Sequence, residues 1–136
     1  MTKYLGIVLI VLALVIAILP GFTDCQSQGK SITLANGTTV PMKCHWTGVG
    51  EIATGVPLLA VGSIMTVTRR KGNLRILGTL GVVLGIFAVM LPNTLIGVCQ
   101  TSMLCHTVMQ PALTVLGSLA IAGSLGALVL SRKAQD

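Results

Sequence analysis

Four apolar runs, at residues 4–19, 49–67, 76–91 and 112–130, dictate what this chain can become, because each is of a length to cross about 30 Å of hydrocarbon as a helix rising about 1.5 Å per residue. Lipid offers no water to a bare backbone, so these runs must be helical. A hydrophobic content of 53%, a charged content of 9% and a mean hydropathy of +0.92 leave too few polar groups to coat a soluble domain of 136 residues. An all-α integral membrane protein is expected, with four transmembrane helices forming a single domain over residues 1–136.

The chain also repeats itself. Leu19-Pro20, Cys25-Gln26 and Met42-Lys43-Cys44-His45 recur as Leu91-Pro92, Cys99-Gln100 and Met103-Leu104-Cys105-His106, each set between two apolar runs. Repeats over residues 1–68 and 72–136 follow, and all four cysteines and both histidines occupy equivalent places in them. Because each repeat holds two helices, the halves share one orientation, and a four-helix bundle with a twofold along the membrane normal is expected.

Charge gives the orientation. Arg69, Arg70, Lys71 and Arg75 crowd the link between the second and third helices, Lys3 precedes the first, and Arg132 and Lys133 follow the fourth. Positive charge collects on the cytoplasmic side, so both termini should lie inside the plasma membrane and both cysteine loops outside, with only Lys30 and Lys43 opposed. The net charge of +6 is thereby accounted for without a nucleic-acid partner. The first helix ends in Leu-Pro-Gly-Phe-Thr-Asp rather than a small-residue cleavage site, and is expected to remain in the mature protein.

Four cysteines on an extracytoplasmic face suggest two disulfides. Pairing within each repeat, Cys25 with Cys44 and Cys99 with Cys105, closes the shortest loops, and cross-repeat pairings stay open. Between the first two cysteines, Asn36-Gly37 separates Thr- and Val-rich segments, the signal of a β-hairpin with a two-residue turn at positive φ. A small disulfide-tied hairpin is therefore expected in the first loop.

The candidate chemistry is sparse. His45 and His106, with Met42 and Met103, could supply imidazole and thioether ligands to copper or haem if they converge across the twofold. No cofactor is otherwise expected: C-x-x-C-H is absent, and the paired spacings of a zinc site are missing. Two cysteine pairs on four helices also suit a quinone-linked thiol oxidoreductase, although its C-x-x-C is lacking. Glu51 reads as a carboxylate in the first turn of the second helix. Gly81, Gly85 and Gly117 offer close helix approach, within the chain or to another subunit, and Trp46 reads as an interface anchor. No nucleotide-binding, metalloprotease or serine-nucleophile motif occurs.

The strings Met42-Lys43-Cys44-His45-Trp46-Thr47 and Met103-Leu104-Cys105-His106-Thr107, on this four-span plan, resemble the small bacterial and archaeal membrane proteins grouped as domain of unknown function 4418. That resemblance covers nearly the whole chain and carries no assigned activity. It implies a neighbour among ABC-type exporters with large extracytoplasmic permease domains. The composite expectation is a non-enzymatic accessory or scaffold subunit in the lipid bilayer, binding another membrane protein or forming a homo-oligomer.

Overall fold

Each apolar run becomes a helix that extends past its hydrophobic stretch, since ending within lipid would strand four amides or carbonyls without partners. The computed structural model describes residues 2–68, 70–100 and 104–133. Helix α1 spans Thr2–Thr23, α2 Lys43–Val67, α3 Lys71–Met90 and α4 Gln110–Lys133. Two wide, π-type turns adjoin them, Leu91–Leu95 continuing α3 and Cys105–Met109 leading into α4. All four helices are long and apolar enough to cross a membrane, which makes this a multi-pass membrane protein.

Packing follows the repeats: α1 lies chiefly on α2, and α3 chiefly on α4. Glycine sets the closeness in both. Gly48, Gly55 and Gly62 recur every seventh residue on α2 and meet Pro20, Ala17 and Ile10 of α1; Gly85 and Gly117 oppose each other across α3 and α4. Gly81, Gly85 and Gly117 are thus consumed inside the chain rather than offered to a subunit. Leu9, Ala13, Ile16, Leu58, Met65, Leu113 and Ala120 fill the seam, while the large apolar side chains left exposed line the helix exteriors, where lipid would meet them.

Several polar side chains in the spans are satisfied by their own helix, whereas the buried Ser124 hydroxyl has no hydrogen-bond partner. Thr54 donates to the Gly50 carbonyl, Ser63 to Leu59 and Ser118 to Thr114. Glu51 differs. Because α2 begins at Lys43, closed by the His45 amide on the Met42 carbonyl at 3.0 Å, Glu51 lies two turns inside the helix rather than in its first turn. It is fully buried, and neither carboxyl oxygen has a hydrogen-bond partner.

The first loop does form a hairpin. Strands β1 (Ile32–Thr33) and β2 (Thr39–Val40) pair antiparallel, Ile32 opposite Val40 and Thr33 opposite Thr39. Its turn is not the two-residue kind. The Gly37 amide donates to the Leu34 carbonyl and the Leu34 amide to the Thr38 carbonyl, both at 2.9 Å, with Gly37 at φ +80° and no residue other than glycine at positive φ among the described residues. This is the bulged three-residue loop, in which only the glycine must be left-handed.

Candidate functional site

Four chain segments end at one face of the bundle, and each delivers a cysteine there. At the end of α1 the Thr23 hydroxyl donates to the Leu19 carbonyl at 2.9 Å, and Asp24 accepts the Ser27 amide at 2.8 Å. That turn buries Cys25 completely. Cys44 lies in the first turn of α2 and Cys105 opens the π-type turn before α4, both equally buried. Cys99 comes from the second loop, where Gly97 at φ +78° reverses the chain and its carbonyl accepts the Thr47 hydroxyl at 2.7 Å. The Cys99 amide then donates to the Cys44 sulfur at 3.3 Å.

The sulfurs form a single cluster. Cys44 Sγ is 2.9 Å from Cys99 Sγ and 2.9 Å from Cys105 Sγ, Cys25 Sγ is 3.5 Å from Cys105 Sγ, and all four lie within 4.8 Å of one another. No S–S bond joins any of them, so the tie expected for the hairpin loop is not present. Each of these three approaches, Cys44 to Cys99, Cys44 to Cys105 and Cys25 to Cys105, runs between the repeats, because the helix ends of both halves converge on one point. Burial pushes the Cys25 thiol up to about 11. Burial acts in the same direction on half-buried Cys99, but the hydrogen bonds from Cys44, Cys25 and Cys105 together outweigh it and hold that thiol below its ordinary value.

The histidines do not join the sulfurs. His45 Nδ1 lies 3.2 Å from Asp24 Oδ2, and its ring meets Trp46 edge-on at 5.9 Å between centroids. Burial would raise the Asp24 carboxyl, but the Ser27 amide and hydroxyl and the His45 ring together keep it below 3.8. His106 lines a different groove with Asn93, Gln110 and Thr114, which are linked by Gln110 to Asn93 and Asn93 to Thr114 bonds at 3.0 Å. The grooves holding the two imidazoles share no residue. Met42 packs against the core cluster, and Met103 lies outside the described residues. Trp46 is 56% exposed at the same face.

Gly97 and Asp24 position this site without any signal in the sequence, and Thr47 enters the sequence reading only within the family-like string. Their roles depend on partners 21 and 50 residues away, and no local spacing signals that.

The chain can be placed by comparison as well as by geometry. A family described as Domain of unknown function (DUF4418) matches residues 5–130. No curated protein and no solved structure matches.

Proposed function

The chain belongs to the DUF4418 family, and from that premise we propose that it is a non-enzymatic accessory subunit of the membrane whose hairpin docks onto a second membrane protein. The observation that carries this reading is the state of the first loop. Every residue from Gly29 through Val40 is exposed, including Ile32, Leu34 and Val40. A two-stranded ribbon is marginal in water by itself, and one that presents apolar side chains and open strand edges has the character of a docking element.

Orientation supports it. Lys3, Arg70, Lys71, Arg75, Arg132 and Lys133 lie at or beside the helix ends remote from the cysteines. With that end cytoplasmic, both termini are inside and the hairpin stands in the extracytoplasmic space. The partner is then a protein with its own extracytoplasmic strand edge or apolar groove, and the permease domain of an ABC-type exporter is the partner that the family resemblance implies.

Cross-linking in native membranes followed by mild-detergent purification tests the proposal. The wild type should migrate as a discrete larger species, and the Ile32→Asp/Val40→Asp variant should lose it while remaining inserted and helical. Recovery of the wild type as a lone monomer would sink the subunit reading. A larger species indifferent to both substitutions would sink the role of the hairpin.

A further inference from the structure

Cys25, Cys44, Cys99 and Cys105 form the one group among the described residues that offers a metal ion a full set of clustered ligand atoms. Three of the four are completely buried. Each repeat contributes two, one from a loop or turn and one from a helix start. Nothing in the spacing of these cysteines along the chain pairs them as zinc ligands usually pair; only the convergence of helix ends brings them together.

The dimensions select the occupant. A tetrahedral zinc ion bonded to four thiolates at about 2.3 Å holds the sulfurs about 3.8 Å apart. That lies between the shortest contact here, 2.9 Å, and the greatest separation, within 4.8 Å. A polynuclear iron–sulfur cluster needs its ligand sulfurs arranged around several irons, for which this group is too small. Haem and blue-copper centres need imidazole or thioether ligands, and His45 and His106 lie in separate grooves that share no residue. Copper(I) is satisfied by two or three thiolates and would leave a sulfur over. An all-sulfur tetrahedral set is the donor chemistry of zinc and of a single iron ion, and zinc, which has no redox step, suits a buried structural tie.

We propose that Cys25, Cys44, Cys99 and Cys105 bind one zinc(II) ion as a tetrathiolate, fastening the two repeats to each other at this end of the bundle. Binding replaces four S–H bonds with four Zn–S bonds and releases four protons to solvent, with no change of oxidation state. The product carries two net negative charges. The Cys99 amide, already 3.3 Å from the Cys44 sulfur, is a donor suited to that charge, and the half-buried side of Cys99 gives the ion a way in. The ion would do for this chain what two disulfides would do, while keeping every sulfur reduced. It is independent of the hairpin's role.

The test is elemental analysis of the full-length protein purified from native membranes in mild detergent without chelator. One zinc per chain is expected, with the thiols resistant to alkylation until a chelator is added. Cobalt(II) added to the reduced, metal-stripped wild type should give the visible bands and thiolate charge-transfer absorption of a tetrahedral tetrathiolate, which reads the site without any variant. Cys44→Ser should weaken zinc binding by more than the roughly 10–100-fold typical of losing an outer-shell partner. His45→Ala/His106→Ala should retain the ion. Two disulfides in the native-purified protein, copper or iron in place of zinc, no cobalt spectrum from folded reduced protein, or undiminished zinc in Cys44→Ser would each overturn the proposal.

Discussion

Replacing Gly62 by alanine should loosen the first helix pair, and the structure supplies the magnitude. A Cβ at Gly62 would lie 3.0 Å from Ile10 Cγ1, 3.0 Å from the Ile10 nitrogen and 3.1 Å from the Gly6 carbonyl oxygen, whereas ordinary contacts fall at 3.4–4 Å. Two of those three neighbours are backbone atoms, which cannot rotate aside, so α1 and α2 must separate by several tenths of an ångström. Overpacking of this kind costs about 1–3 kcal/mol. Alanine's better helix propensity returns about 1 kcal/mol of that, which calls for a control bearing the same gain without the clash. Gly126 provides it, since its Cβ would meet only Leu5, at 3.9 Å. Gly62→Ala should therefore be less stable than Gly126→Ala by about 1–3 kcal/mol. Reversible unfolding by SDS in mixed micelles, followed by far-ultraviolet circular dichroism, measures the difference. If the two variants unfold together, the close backbone approach does not hold this helix pair, and the reasoning fails.

Other outcomes follow from single residues. The Asp24 carboxyl is held below its ordinary 3.8, so its stabilising contribution is complete above that pH and disappears as pH falls through the lower folded value. The stability gap between wild type and Asp24→Asn should accordingly close on acidification below about pH 3.8, and a gap that stays constant would show that the Ser27 and His45 contacts do not favour the charged form. Glu51→Leu should stabilise the bundle by roughly 1–3 kcal/mol, because two buried oxygens without partners are removed, and a loss in the same unfolding assay would mean the carboxyl is partnered in the membrane. Gly37→Val places a β-branched residue at φ +80°, at a cost of about 1–2 kcal/mol confined to the hairpin. Amide exchange should rise from Ile32 to Val40 with global unfolding unchanged; faster exchange throughout α1 and α2 would show that the hairpin is part of the core.

What the sequence determined by itself is the part of this protein governed by local physics. Hydropathy along residues 4–19 or 76–91 requires a helix whatever surrounds it, and Asn36-Gly37 requires a reversal because few residues tolerate the backbone it needs. The duplication also brings Cys25, Cys44, Cys99 and Cys105 to one end of the bundle. Which sulfur meets which was not legible, since that depends on how α1 and α3 are rotated and how closely they cross their partners. The same rotation sends His45 to Asp24 and His106 to the groove beside Asn93, although the two follow equivalent cysteines in matching motifs. Gly81, Gly85 and Gly117 could have faced a second subunit as readily as a neighbouring helix, because a glycine's pattern encodes closeness but not the identity of what comes close. Only the tertiary structure turns four cysteines without recognisable spacing into a group within 4.8 Å, because helix convergence is a property of side chains packed across the whole bundle.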